Sequence, residues 1–163
     1  MSELEPNWEL VTDRVMGGFS NGQMERPVIN GRSATRMTGR VSLENNGGFI
    51  QIAADLPPPP ADAKGVAMHL IGNAETYNIH LRTSDLARPW QSFRQAFTAP
   101  SEWTLCHFDF GDFEAHRTDE PLRPGNIRRI GIVAIGRVFD ADAAVSAVSY
   151  YQLRQGQAAR DFC

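Results

Sequence analysis

A chain of 163 residues with 42% apolar and 21% charged residues has the composition of one globular domain, and it needs no metal or disulfide to close a core. A formal charge of −3 excludes an overall electrostatic pull toward nucleic acid or anionic lipid. No run approaches the ~18 apolar residues that cross a bilayer, and the opening Met1-Ser2-Glu3-Leu4-Glu5-Pro6 has neither the basic start nor the apolar stretch of a signal peptide. These features predict a cytoplasmic protein that meets a membrane only through a partner.

Taken in order, residues 8–20 are a short apolar piece broken by an acid and two glycines, which reads as a shaped loop. Gly17 and Gly18 permit positive φ or close backbone approach, while Asp13 and Ser20 can bond to the loop's own amides. From 34 to 43, Thr35, Met37, Gly39, Val41 and Leu43 alternate with Arg36, Thr38, Arg40 and Ser42, the period of a half-buried strand. Asn45-Asn46-Gly47-Gly48 then offers a turn and residues 49–53 a second strand, so the pair reads as a hairpin. The prolines at 57–60 read as a stiff inter-strand loop, or alternatively as a polyproline ligand.

Strand patterns continue at 65–72, 77–83, 92–98 and 104–110. In the second, Tyr77, Ile79 and Leu81 point inward and Asn78, His80 and Arg82 outward; in the last, Cys106, Phe108 and Phe110 alternate with His107 and Asp109. Residues 129–135 are nearly all apolar, as in a central strand buried on both faces. Residues 143–153 alternate too poorly to assign a face. Many short strands with Gly- and Pro-rich turns predict an all-β sandwich or jelly roll in a single domain spanning 1–163, with a core over about 8–153 and frayed ends. No internal repeat is present.

Chemistry-bearing motifs fail on spacing. Asp109-Phe110-Gly111 matches a kinase magnesium tripeptide by letters only, and neither glycine pair has phosphate-loop or dinucleotide spacing. His69, His80, His107 and His116 lack ligand spacing, although His80 and His107 could meet beside Asp109 on one face. Asp140-Ala141-Asp142 reads as an acidic turn or a calcium contact. No cofactor and no metal site is implied. Cys106 sits in an alternating apolar segment and Cys163 is terminal, so the two do not read as a disulfide, which points to a reducing compartment. Fifteen arginines stand against one lysine, Lys64; that bias fits either base composition or forks for carboxylates or phosphates.

The segment Trp8 … Asp13-Arg14-Val15-Met16-Gly17-Gly18-Phe19-Ser20 resembles the signature of the complex I intermediate-associated protein 30 family, a Trp followed by Asp-x-Val-Met-Gly-Gly-x-Ser. The likeness continues at Gly39 to Leu43 and at Asn46-Gly47-Gly48-Phe49, with Met37 where the family has an aromatic. It extends through Tyr77 to Arg82, Phe93, Phe97, Trp103, Phe110, Phe113 and Arg117, covering about residues 8–151. Asp109 stands where the family has proline, and the last strand lacks the family's aromatic pattern. The resemblance implies a galactose-binding-domain-like jelly roll and a non-catalytic assembly factor or chaperone for respiratory NADH:ubiquinone oxidoreductase. Its partners would then be protein subunits, with no nucleic acid and no membrane insertion. The binding residues implied are the signature positions Asp13, Arg14, Met16, Gly17, Gly18, Ser20, Gly47 and Gly48.

Beside that stands a carbohydrate- or small-anion-binding module. Its outward polar face would hold Trp90 with Asn78, His80, Arg82, Arg94, His107 and Asp109, Arg82 and Arg94 clamping an anion. An enzyme using His80, His107 and Asp109 for acid–base chemistry is the third possibility, and it lacks a nucleophile. A deep groove walled by Trp90 would favour a small ligand; a flat face with apolar exposure at 13–19 would favour a protein.

Overall fold

Apolar alternation is realised as two antiparallel sheets packed face to face in a computed structural model that describes residues 3–44, 47–152 and 163. The strands are β1 (Glu3–Leu4), β2 (Glu9–Thr12), β3 (Asn21–Glu25), β4 (Val28–Ile29), β5 (Arg32–Ser33), β6 (Thr35–Val41) and β7 (Phe49–Asp55). They continue with β8 (Gly65–Gly72), β9 (Thr76–Thr83), β10 (Ser92–Thr98), β11 (Thr104–Asp109), β12 (Glu114–His116), β13 (Ile127–Ile135) and β14 (Phe139–Tyr151). The first sheet runs β11-β8-β14-β6-β3, with β1 also on β14; the second runs β12-β10-β9-β13-β7-β2. The hairpin β4–β5 lies outside both. This is the jelly-roll sandwich expected from the strand pattern.

The inward face of each sheet follows the two-residue period. Met37 and Val41 from β6, Val66, Met68 and Leu70 from β8, and Cys106 and Phe108 from β11 meet Ile50 and Ile52 from β7, Ile79 and Leu81 from β9, and Ile130 and Ile132 from β13. Full burial of such side chains contributes about 1.5–3 kcal/mol each. Tyr77 ties the layers together. Its ring packs 5.8 Å from Phe97 and 5.7 Å from Phe139, and its hydroxyl accepts from the Asp142 amide on β14 (2.8 Å) while donating to Asn73 Oδ1 (2.6 Å). Burial foremost pushes that phenol up to about 12.

Several sequence expectations need correction. Residues 34–53 do not form a hairpin: β6 pairs with β3 and β14 in the first sheet, whereas β7 pairs with β2 and β13 in the second, so the connection crosses the sandwich. Of the turn read at 45–48, Asn45 and Asn46 lie outside the described residues. Asp140 and Asp142 are strand residues rather than a turn, and each carboxylate meets an arginine. Asp142 takes both Arg36 Nε (2.9 Å) and Nη2 (2.7 Å), and Asp140 pairs with Arg40 at 3.1 Å. Among the described residues no group of three or more His, Cys, Asp or Glu could hold a metal. The poor alternation at 143–153 has a cause: a bulge at Ala147 (φ +51°) shifts the register between Ser146 and Val148, so Val145 and Val148 both face the core. The helical pattern noted near the C-terminus falls at 153–162, outside the described residues.

Cys106 and Cys163 are joined as a disulfide, Cα atoms 5.5 Å apart, against the expectation that both stay free and that the terminus frays. The Cys163 carbonyl also accepts from the Thr98 amide at 3.1 Å. Sequence spacing alone could not reveal this, because 57 residues separate the partners and the contact forms only once β10 and β11 are in place. Among the described residues no helix is long and apolar enough to cross a membrane.

Candidate functional site

Residues 8–20 form β2, a 3-10 turn over Asp13–Met16 and a tight exit, not a loop throughout. Asp13 is fully buried, and its carboxylate organises everything around it. Oδ1 accepts from the Ser20 amide at 3.0 Å; Oδ2 accepts from Ser20 Oγ at 2.5 Å, the Gly48 amide at 2.6 Å and the Phe49 amide at 3.3 Å. Ser20 Oγ in turn accepts from the Ser42 amide at 2.8 Å. Burial pushes the Asp13 carboxyl up, yet these donors together outweigh it and hold it below the ordinary carboxylate value.

The signature glycines follow from that geometry. A Cβ on Gly18 would stand 2.5 Å from Asp13 Cγ, and one on Gly47 2.5 Å from Asp13 Oδ2. Gly17 closes the 3-10 turn at φ +84°, and Gly48 sits at φ +133°. Asp13, Gly18 and Ser20 therefore cannot touch a partner: they are buried, and they fasten the turn to the start of β7. Met16 belongs to the same 3-10 turn. What the turn presents outward is Arg14, whose Nε donates to the Ser20 carbonyl at 2.9 Å, together with Val15 (75% exposed) and Phe19 (49%).

Val15 leads to a groove across the outer face of the second sheet, with a volume of about 430 Å³. Its floor is Val11 from β2, Phe49 and Gln51 from β7, Val133 and Ile135 from β13, His80 from β9 and Arg94 from β10. Pro89 and Trp90 form a wall. Register explains the floor: Gly131, His80 and Arg94 lie directly opposite one another across β13, β9 and β10. A Cβ on Gly131 would meet Gln51 Oε1 at 2.7 Å, so glycine deepens the middle of the floor.

The wall is held by Arg82. Its Nη1 donates to the carbonyls of Arg88 (3.0 Å), Pro89 (2.9 Å) and Gln91 (2.8 Å). Gln91 Oε1 accepts from the Ala87 and Arg88 amides at 3.1 and 3.0 Å, and the Arg88 guanidinium lies 5.9 Å from the centre of the Trp90 ring. Arg82 is thus committed to the loop and does not join Arg94 in an anion clamp, a correction to the sequence reading.

The remaining expected face residues divide. His80, Arg94 and Trp90 come together in the groove. Asn78 shares the outer face of β9 but lies outside the lining. His107 and Asp109 do not join them: they sit on β11 at the edge of the other sheet, where His107 packs edge-on to Tyr151 at 4.9 Å and Asp109 accepts from the Gly111 amide at 2.8 Å. The acid–base set of His80, His107 and Asp109 is therefore not assembled. Strand parity misplaced them because it tells inward from outward without telling which sheet.

Burial foremost, then the charges of Arg94 and His116, push His80 down to about 3, so its imidazole is neutral over the ordinary pH range. Its Nε2 is buried and has no hydrogen-bond partner in the structure. Val11, Gln51, Val133 and Ile135 were invisible as site residues in the sequence, where they look like ordinary strand positions. Only the second sheet's strand order brings them together.

Two antiparallel sheets with a groove over one outer face define a jelly-roll β-sandwich. The fold is similar to that of the family 11 carbohydrate-binding module from Clostridium thermocellum, solved with a β-1,3-1,4-mixed-linked tetrasaccharide: TM-score 0.75, 11% identity, 93% of this chain and 94% of that one. It is also similar to a family 30 carbohydrate-binding module, with TM-score 0.57 and 12% identity over 82% of this chain and 92% of that one. The chain belongs to the complex I intermediate-associated protein 30 family, whose model matches residues 2–148. No curated protein matches the chain.

Proposed function

We propose that this domain is a non-catalytic binding module that takes a segment of a protein partner in the groove over the second sheet, and that its partners are subunits of respiratory NADH:ubiquinone oxidoreductase during assembly. A groove walled by Trp90 by itself favours a small ligand; the observation that carries a protein partner is the apolar exposure of the signature turn, Val15 (75%) and Phe19 (49%), with Val15 entering that groove. Val11, Val15, Phe49, Pro89, Trp90, Val133 and Ile135 line it, against three polar side chains, Gln51, His80 and Arg94. A mostly apolar lining with a few polar groups is the ordinary make-up of a binding groove, and an aromatic wall beside an arginine is the composition of a hot spot. Family membership supports the identity of the partner. The signature motif then has an indirect role, since Asp13 fixes the turn that carries Val15 to the rim.

Affinity capture from gently solubilised membranes tests it, using the wild-type chain, Trp90→Ala, and Val28→Ala on β4. Respiratory subunits should be recovered with the wild-type and Val28→Ala chains and lost with Trp90→Ala at an unchanged melting temperature. Equal recovery with Trp90→Ala would overturn the reading.

A saccharide ligand is the second reading, favoured by the Trp90 indole beside Gln51, His80 and Arg94 and by the fold shared with carbohydrate-binding modules. A saturable change in tryptophan emission on titrating a mixed-linked β-glucan tetrasaccharide, absent in Trp90→Ala, would establish it.

A further inference from the structure

Arginine partners single out one end of the groove. Arg36, Arg40, Arg123, Arg129 and Arg137 each meet a carboxylate, and Arg14, Arg26, Arg82 and Arg128 donate to backbone carbonyls. Arg94 does neither. It is half-buried in the groove floor, and its Nε donates to Ser92 Oγ at 2.9 Å, which leaves both Nη groups without a hydrogen-bond partner among the described residues. Glu114, opposite it on β12, is exposed and makes no ion pair with it. The charges felt there are basic: Arg117 acts on Arg94, and Arg94 and Arg117 act on His116. Next to Arg94, His80 holds its unpartnered Nε2.

A half-buried guanidinium without an anion is an incomplete pair, and its planar fork matches a carboxylate in two parallel hydrogen bonds. The groove beside it is apolar. Building on the docking reading above, we propose that the partner segment seated in this groove carries a carboxylate, bound by Arg94 beside His80, next to an aliphatic side chain packed against Trp90 and Ile135. His80 acts as a neutral neighbour offering one hydrogen bond, and Arg94 supplies the charge.

The test titrates the full chain with three tripeptides while following the Trp90 Nε1–H and Arg94 Nε–H resonances. Acetyl-Val-Asp-Val amide carries a side-chain carboxylate, acetyl-Val-Asn-Val free acid a terminal one, and acetyl-Val-Asn-Val amide none. The Asp peptide or the free acid should bind about tenfold tighter than the neutral peptide, and whichever wins names the source of the carboxylate. Arg94→Gln should bring the three to equal affinity, and Arg94→Lys should retain part of the preference. Should Arg94→Gln fail to fold, the wild-type preference must still narrow as salt is raised. Equal binding of the charged and neutral peptides, or no shift from any of them, overturns the carboxylate assignment. If Trp90→Ala nonetheless abolishes partner capture, the docking reading survives that failure; if it does not, both fall.

Discussion

The signature turn around Asp13 and the groove over the second sheet sit side by side and differ in how they are written. The turn's own motif is short in sequence, with Asp13, Gly17, Gly18 and Ser20 inside eight residues, and five hydrogen bonds, from the Ser20 amide and hydroxyl and the Ser42, Gly48 and Phe49 amides, converge on Asp13 and Ser20. The groove draws its lining from β2, the signature turn, β7, β9, the β9–β10 loop, β10 and β13, none of it in a recognisable spacing. The motif that is easiest to read is thus a structural fastening, while the surface able to meet another molecule is spelled in ordinary strand residues. Val15 joins the two, standing on the turn and on the rim.

Substitutions sharpen that contrast, beginning with the largest effect on stability. Asp13→Ala leaves the amides of Ser20, Gly48 and Phe49 without their acceptor in a buried site, and should cost about 3 kcal/mol or more. For a chain of this length that lowers the melting temperature by about 10 °C in calorimetry. Gly18→Ala drives a methyl into the same carboxylate and should cost about 2 kcal/mol. Gly17→Ala meets open space and only the strain of φ +84°, so a denaturant midpoint should report about 1 kcal/mol.

Acid should act on both regions in turn. His80 is held down to about 3 when folded, so the unfolded chain takes up its proton first and stability falls as pH drops below about 6.5. Asp13 is also depressed, but its contribution is complete above its unfolded value of about 3.9 and is lost only as pH falls through its lower folded value. Melting temperatures compared at about pH 7 and about pH 5 therefore isolate the histidines. His80→Gln should shrink the drop, with His69 and His116, both also lowered chiefly by burial, accounting for what remains. An unchanged drop would place the acid sensitivity elsewhere. The smallest stability effect belongs to Trp90→Ala, within about 0.5 kcal/mol, because the indole is 57% exposed.

The fold was legible where the two-residue period runs unbroken. The expected strands at 65–72 and 92–98 match β8 and β10, and Tyr77, Ile79 and Leu81 all point into the core. It was illegible where the backbone departs from that period, as at Ala147, and where chain neighbours part company, as β6 and β7 do. Short strands such as β1, β4, β5 and β12 carry too few residues for a period to show. For the candidate face, outward parity placed His80 and Arg94 on the outer side of the second sheet, and Trp90 stands beside them on the β9–β10 loop. Parity wrongly added His107 and Asp109, since sheet membership depends on long-range pairing that no local pattern encodes.

The most direct test of the groove as the docking face is photo-crosslinking from two exposed valines on opposite faces. Val15 (75% exposed) stands on the groove rim, and Val28 (70%) lies in the β4–β5 hairpin, whose Ile29 packs with Ile71 and Ala144 on the outer face of the first sheet. With a photoreactive side chain at each position in turn, in the native cell, respiratory subunits should be trapped from position 15 and not from position 28. Equal trapping from both, or trapping from position 28 alone, would contradict the account.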